Sequence, residues 1–249
     1  MRRGAWLALA ALACAAPAWA QEAAAPDDWT VDRGVVGRAR PLHLGSPRYR
    51  VDALPVVNAR WGDAVALSLD DGARWAAFRD GPFSAGPVAE FRQSFNDGLP
   101  RGAFRMNDAV EIGGFAKLRT PVGEIETRLR KAETGYDGWS GDLSFDTGGQ
   151  VAPKLKLGGE MRVSWADDRF SQEYFGLRRA AARREDLPRF QADDYYSAGA
   201  ELDAARELAK GVALVGVLSG DRILGREWRS PLLQTRNVMT ASVGFVRRF

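Results

Sequence analysis

The chain has 249 residues, of which 35 are Lys or Arg and 32 are Asp or Glu, and 45% are hydrophobic. This near balance gives no large positive surface, so nucleic acid is not an expected partner. After the N-terminus no stretch has the continuous apolar length of a transmembrane helix, so a helical membrane protein is not expected.

The first 20 residues have the pattern of a secretory signal peptide. Arg2 and Arg3 precede an apolar run over Trp6 to Ala16, and Ala18-Trp19-Ala20 fits the small-x-small rule for cleavage. The run is too short to cross a membrane as a helix. We therefore expect export, with residues 1–20 removed as a signal peptide.

Cleavage would leave a nearly neutral chain without cysteine. The signal carries two arginines, so the formal charge falls from +3 to +1. Cys14 lies inside the signal, and the mature protein would have no thiol. The alternative, a lipid acceptor at Cys14, is disfavoured because Ala11 replaces the usual Leu three residues earlier. We divide the mature chain into a short extension over 21–28 and one domain over 29–249.

Alternation of apolar and polar side chains is the main structural signal in this domain. It is clearest from Lys154 to Trp165. The apolar parity there comprises Leu155, Leu157, Met161, Val163 and Trp165. A period of two indicates a β-strand, because successive side chains point to opposite faces. A strand of about ten residues matches a tilted crossing of a membrane.

The same reading extends along the domain. Strands are expected near 30–40, 51–60, 64–70, 72–78, 84–95, 108–119, 124–132, 140–147, 153–166, 194–206, 212–220 and 237–249. The segment Gly72 to Phe78 is included because an even number returns the C-terminus to the periplasm. Val212 to Leu218 is apolar on both parities and fits a helix or a buried strand. The sequence predicts an all-β fold: a transmembrane antiparallel β-barrel of the outer membrane with about 12 strands.

Breaks of two lengths separate these strands. Short breaks rich in Gly, Pro and Asp occur at 61–63, 80–82, 120–123, 147–150 and 208–211, and longer polar stretches occur at 41–50, 96–107, 167–193 and 221–235. The former predict periplasmic turns and the latter extracellular loops. Within one loop, Gly176 to Asp186 predicts a short helix ended by Pro188. We interpret its arginines as solvated, with lipopolysaccharide phosphates as the alternative ligand.

Charged residues fall on the parity that would face the lumen. They are Glu90, Arg92, Glu111, Lys117, Glu124, Glu126, Arg128, Arg130, Lys154, Lys156, Glu160 and Arg162, whereas Phe115 is an apolar residue on this side. A lipid face cannot carry such charge. If these charges pair across strands, they would fill the lumen and close the barrel. If the lumen instead holds water, it would form a channel, and the charge pattern allows both arrangements.

Candidate catalytic and metal-binding residues are few. His43 is the only histidine, in the first predicted outer loop; with only Ser46 near it, no catalytic triad is visible, and we interpret it as a solvated polar residue. Asp167-Asp168 and Asp193-Asp194 lack the spacing of a calcium loop and fit surface turns better. We expect no catalytic residue, no metal and no cofactor.

One run of residues resembles a known family. Residues 165–176 read Trp-Ala-Asp-Asp-Arg-Phe-Ser-Gln-Glu-Tyr-Phe-Gly and are similar to the long outer loop of the MipA/OmpV family, where W-A-D-D-x-(Y/F)-x-x-x-Y-F-G occurs. Asp108 to Ala116 and Arg50 to Gly62, with its Leu-Pro-x-Val core, match in order and spacing. The resemblance covers nearly all of the mature chain and implies an outer-membrane barrel in a Gram-negative bacterium.

The end of the chain fits a barrel-assembly signal. Phe249, Phe245 and Val243 share one parity with Ala241 and Met239, and we expect the barrel-assembly machinery to recognise them. Arg247 stands where family members often carry Tyr. At the membrane interface it can extend its charge to water, so we expect weakened recognition rather than a different fold.

The family resemblance also implies a function. Its namesake is a scaffold that binds a membrane-bound lytic transglycosylase and a bifunctional murein synthase, and other members are described as adhesins or as affecting antibiotic susceptibility. We therefore expect a non-enzymatic scaffold, in contact with outer-membrane lipid and lipopolysaccharide. The alternatives are a small passive channel, suggested by the charged lumen parity, and a surface adhesin acting through the loop at 167–193.

Overall fold

The computed structural model describes residues 29–70, 72–94, 96–99, 107–177 and 179–249. The expected signal peptide (1–20), the extension (21–28) and most of the predicted loop at 96–107 lie outside these residues.

Thirteen β-segments make up most of the described structure. They are β1 (Trp29–Pro41), β2 (Tyr49–Trp61), β3 (Val65–Ser68), β4 (Gly72–Trp75), β5 (Phe78–Asp80), β6 (Phe83–Arg92), β7 (Ala109–Thr120), β8 (Gly123–Ala132), β9 (Trp139–Ala152), β10 (Leu155–Ala166), β11 (Tyr195–Ala209), β12 (Val212–Leu224) and β13 (Asn237–Arg248). The helices are α1 (Asp168–Phe175), α2 (Arg179–Arg184) and a 3₁₀ turn (Glu227–Arg229). Neither α-helix has the length and apolar character of a membrane span.

The segments close into an antiparallel barrel of twelve strands. Sequential neighbours pair except β4 and β5, β1 pairs with β13, and β4 pairs with β6 to complete the ring. β4 and β5 both lie against β6 and together form one interrupted strand. At the interruption, a Cβ on Gly86 would lie 1.9 Å from the carbonyl oxygen of Trp75. The predicted strand over Gly72 to Phe78 is therefore confirmed, and of the two alternatives for Val212 to Leu218 the structure shows a strand, β12.

The two faces of the wall differ as the alternation predicts. Apolar side chains such as Met161, Val163 and Leu202 are exposed on the outer face. Exposed aromatic side chains encircle both ends: Trp29, Trp61, Trp75, Phe83 and Phe249 at one end, and Tyr49, Phe91, Trp139, Tyr196 and Trp228 at the other. An apolar band between two aromatic girdles is the outer surface of a membrane-spanning barrel. Phe115 is buried inside against Ala76 and Val88, on the predicted side.

The ends of the barrel differ in connection length. Two- or three-residue turns join strands at the end that carries both termini, hereafter the turn end. At the opposite end, hereafter the loop end, the connections are longer, except for the three residues between the short segments β3 and β4. The short breaks are confirmed with one exception. The break predicted at 147–150 is wrong, because β9 continues to Ala152 and the chain turns at Pro153 and Lys154. Gly148 is needed in the strand, since a Cβ there would lie 2.7 Å from Gly158 Cα.

Candidate functional site in the barrel lumen

The centre of the lumen is organised around one buried carboxylate. Glu111 on β7 is fully buried, although it lies on the charged parity. Arg92 donates to both of its oxygens, and Arg130 donates to Oε2 at 3.1 Å. Hydroxyl groups of Tyr136 and Ser140 also donate to it. The carboxylate is thus satisfied from four directions, which removes most of the cost of burying its charge.

The pairing continues along β6, β8 and β9. Arg130 also binds Glu90 at 3.0 Å and contacts Asp142. Arg128 bridges Glu90 and Glu126, at 2.9 and 2.5 Å. Alternating cations and anions on neighbouring strands therefore form a continuous ladder, and each charge is matched by at least one opposite charge.

A second part of the network joins distant strands. Glu126 also forms ion pairs with Arg74 of β4 at 2.9 Å and with Lys117 of β7 at 3.2 Å. On the other wall, Arg162 of β10 binds both oxygens of Asp221 on β12 at 3.0 Å. The ion pairs thus tie the short β4 segment to the long strands and help to close the ring.

The predicted lumen-facing charges are confirmed with two exceptions. Ten of the twelve form ion pairs inside the barrel. Lys154 instead occupies the turn between β9 and β10 with φ 66°, and Lys156 is exposed near the same turn. Lys154 lies outside the strands because β9 runs on to Ala152 and the turn comes later than the sequence predicts, whereas Lys156 keeps the parity of Glu160 and Arg162 at the turn end of β10.

The loop over 167–194 folds back into the loop end of the barrel. Asp167 caps α1, because its side chain accepts from Phe170 N at 3.0 Å and from Trp139 N at 2.9 Å. The centroid of the Phe170 ring lies 5.4 Å from the guanidinium carbon of Arg92 on β6, while Phe175 packs on Ile223 of β12 and on Val238. The contact with Arg92 is made on β6 and the contact with Ile223 on β12, and these two strands are on opposite walls. The helix α1 therefore crosses the mouth of the barrel.

Aromatic residues line this crossing helix. Phe170 makes ring contacts with Tyr136, Tyr174 and Tyr195 at centroid distances of 5.1, 4.6 and 6.1 Å. Burial raises the pKa of the Tyr136 and Tyr174 phenols above their ordinary values, so both remain neutral hydroxyl groups. We call α1 with its aromatic residues the plug.

The remainder of the loop packs outside the plug. Leu177 and Phe190 exchange two backbone hydrogen bonds of 2.8 and 3.2 Å. Leu177 is buried with Ala182 of α2 and Leu232. The short helix predicted over Gly176 to Asp186 is therefore present as α2, held by its apolar side while Arg179, Arg183 and Arg184 are exposed.

A polar cavity of about 340 Å³ lies beneath the plug. Its walls include Glu90, Arg128, Asp142, Arg162 and Ser197, and Phe170 and Tyr174 contribute to its lining as well. Most of the charged wall residues are already paired with each other. The cavity can therefore hold water or a small polar solute, but the wall offers paired rather than free charges.

The other candidate residues do not assemble a reactive site. His43 is buried rather than solvated, because its Nδ1 lies 3.0 Å from the carbonyl oxygen of Asp97 and the loop packs around it. Ser46 donates to the Arg48 carbonyl at 3.2 Å. Asp193 pairs with Arg226, and Asp194 accepts from Trp165. Within the described residues, no cluster of His, Cys, Asp or Glu has the arrangement of a metal site.

The proposed assembly signal lies on the outer face at the turn end. Phe249, Phe245 and Val243 are all exposed. Arg247, the departure from the family pattern, lies over the Phe249 ring at 4.9 Å. Its charge is therefore held at the level of the terminal aromatic ring, where the interface begins.

The closed wall, apolar outer face, two girdles and ion-paired lumen define a transmembrane β-barrel of the outer-membrane type. The family comparison is specific: residues 34–249 match the model of the MltA-interacting protein MipA, and the chain belongs to that family.

Solved barrels resemble the chain only distantly. A loop-deletion mutant of OmpT from Vibrio cholerae is 8% identical, with 89% of this chain and 98% of that chain covered at a TM-score of 0.41. The anion-selective porin from Comamonas acidovorans is 12% identical, with 89% of this chain and 99% of that chain covered at a TM-score of 0.39. Such scores support no inference, so the fold rests on this chain's own strand pairing. No curated protein matches the sequence.

Proposed function

We propose that the protein is a non-enzymatic scaffold of the outer membrane that binds a murein hydrolase and a murein synthase at its periplasmic side. The supporting observation is the family match over residues 34–249, because that family is described by an interaction with MltA. The ion-paired lumen and the plug also favour this role. Because the charged interior is committed to internal pairs and the outer wall faces lipid, the surfaces left for a partner are the two ends of the barrel.

The turn end offers a projecting surface for such a partner. β8 pairs with β9 only as far as Glu124 and Asp146, whereas β9 continues to Ala152. Residues 147–158 of the β9–β10 hairpin therefore extend beyond the neighbouring turn. We call this the turn-end ribbon. Apolar Val151 is exposed on it, and projecting strands with exposed edges are common docking elements.

Basic side chains surround the ribbon. Lys154 and Lys156 are exposed on it, and Lys210 is exposed in the adjacent turn. Glu207 N donates to the Lys154 carbonyl at 2.8 Å and ties β11 to the ribbon. A partner with an acidic surface would be attracted to this group and would find Val151 as an apolar contact.

The test is a pull-down from detergent-solubilised envelopes with the mature protein as bait. We expect a lytic transglycosylase or a murein synthase to be recovered by the wild type and lost with Lys154→Glu/Lys156→Glu/Lys210→Glu. The matched control is Arg179→Glu/Arg183→Glu/Arg184→Glu, a triple reversal at the loop end, which should retain the partner. A wild-type bait that recovers only barrel-assembly components contradicts the scaffold.

A small passive channel is a second candidate, supported by the 340 Å³ polar cavity. Planar-bilayer recordings distinguish the two functions, because a scaffold with a closed lumen gives no conductance steps. An adhesin acting through the loop at 167–193 is less favoured. Phe170, Phe175 and Leu177 are buried, so that loop is committed largely to the barrel mouth.

A further inference from the structure

Three arginines and one tryptophan lie together at the loop end, outside the barrel mouth. Arg222 is near the end of β12, Arg229 ends the 3₁₀ turn, and Arg236 directly precedes β13. The guanidinium carbons of Arg229 and Arg236 lie 5.5 and 5.7 Å from the centroid of the Trp228 ring. Ile223 N donates to the Arg236 carbonyl at 2.8 Å and joins the two segments. We call these four residues the basic patch.

The patch is level with the lipid rather than with the lumen. Arg222 shares the outward parity of β12 with Leu218 and Leu224, which are both exposed. The intervening Asp221 and Ile223 point inward, to Arg162 and to the plug. Trp228 and Tyr196 belong to the aromatic girdle, which marks the depth of lipid headgroups.

The patch has an excess of positive charge. Among the described residues no carboxylate forms an ion pair with Arg222, Arg229 or Arg236, although Arg226 pairs with Asp193 at 2.5 Å. The neighbouring acids are engaged elsewhere: Asp221 accepts from Arg162, and Glu227 is fully buried, with its Oε1 accepting from Asp193 N at 3.2 Å. Three cations are therefore concentrated at one position on the outer rim.

We propose that the basic patch binds the phosphate groups of lipid A in the outer leaflet. A guanidinium stacked on an indole ring keeps its N–H groups free at its edge, where they can bind phosphate oxygens in pairs. Arg222 lies on the lipid-facing surface of β12, closer to the middle of the membrane, and its side chain reaches the same headgroup layer from there. This site is separate from the turn-end ribbon, so it does not depend on the proposed scaffold.

The arginines of α2 provide a matched comparison. Arg179, Arg183 and Arg184 are equally numerous and exposed, but they lie on a loop helix packed over the mouth rather than on the outer strand face. General attraction between anions and basic residues would not distinguish the two groups. A specific site predicts that only the basic patch matters.

The experiment is a lipid titration of the purified, refolded full barrel in detergent, with native mass spectrometry as readout. The probes are bisphosphorylated lipid A, lipid A from which both phosphates are removed, and phosphatidylglycerol. We expect Arg222→Gln/Arg229→Gln/Arg236→Gln to bind bisphosphorylated lipid A at least about tenfold more weakly than wild type. Arg179→Gln/Arg183→Gln/Arg184→Gln should bind as wild type does, and the dephosphorylated lipid should bind all forms equally weakly.

A further variant keeps the test independent of folding. Trp228→Leu removes the stacking surface without removing charge, and we expect it to weaken lipid A binding, whereas Trp228→Phe should retain most of it. Heat-modifiable migration in gels checks that each barrel has folded. Equal losses in both arginine triples would overturn the proposal. Patch-dependent binding of phosphatidylglycerol as tight as that of lipid A would overturn the choice of lipid A.

Discussion

Replacing Glu111 tests whether the buried ion pairs stabilise the barrel. In Glu111→Gln the side chain keeps its size but loses its charge. Arg130 retains Glu90 at 3.0 Å as well as Asp142, whereas Arg92 has no other carboxylate partner among the described residues. Removing one partner of a buried pair costs about 3–5 kcal/mol. Because only Arg92 is left without an ion-paired carboxylate, we expect the lower end, about 3 kcal/mol.

The assay is urea unfolding of the refolded barrel in micelles, followed by tryptophan fluorescence. Glu124→Gln is the matched control, because Glu124 also binds two cations but its side chain is 30% exposed. Its loss should cost about 1 kcal/mol or less. Arg92→Gln added to Glu111→Gln should restore part of the stability. If Glu111→Gln and Glu124→Gln are equally destabilising, the reasoning about buried charge is refuted.

Three further predictions concern the strand, the plug and the C-terminus. Gly148→Val should lower the free energy of unfolding by about 1–3 kcal/mol through backbone crowding, whereas Gly216→Ala, with its Cβ 3.8 Å from Ser242 O, should have a smaller effect; urea titration compares them. Phe170→Ala should make the lumen more accessible, read as new conductance steps in bilayers, and unchanged recordings would count against the plug. Phe249→Ala should slow assembly on the barrel-assembly machinery, measured as delayed heat-modifiability, with the exposed loop residue Arg184→Ala as control.

The wall of the barrel was predictable because two solvents act on its two faces. Lipid requires apolar side chains such as Met161 and Leu202, and the lumen tolerates charges such as Glu160, so the period of two is strong. The strand over Gly72 to Phe78 was predicted because outer-membrane barrels usually have an even number of strands. Its interruption between β4 and β5 was not predictable, because it depends on the approach of Trp75 to Gly86 on a neighbouring strand.

The error at 147–150 has a physical cause. Paired glycines usually mark turns, but here Gly148 faces Gly158 across a strand pair, where only hydrogen fits. The actual turn uses Lys154 in a left-handed conformation, with φ 66°, which non-glycine residues seldom adopt. The turn-end ribbon therefore came from the structure, since its length depends on where β9 ends.

The plug was missed for a different reason. The sequence predicts an outer loop around 165–176, and the packing of this segment depends on contacts with residues far along the chain. A local signal was nevertheless present. Asp167 stands three residues before Phe170 and caps the helix, and Phe170 and Tyr174 are spaced to share one helix face. An amphipathic aromatic helix in a surface loop indicates that it packs against something.

Arg92 connects the plug to the ion pairs beneath it. Its guanidinium binds Glu111 and also lies 5.4 Å from the Phe170 ring centroid. A guanidinium held by a carboxylate presents a fixed flat face, on which an aromatic ring packs better than on a mobile side chain. The network therefore does more than neutralise charge in the lumen. It orients the surface on which α1 rests, so the position of α1 across the mouth depends on Glu111, a residue of β7 that the plug itself does not contain.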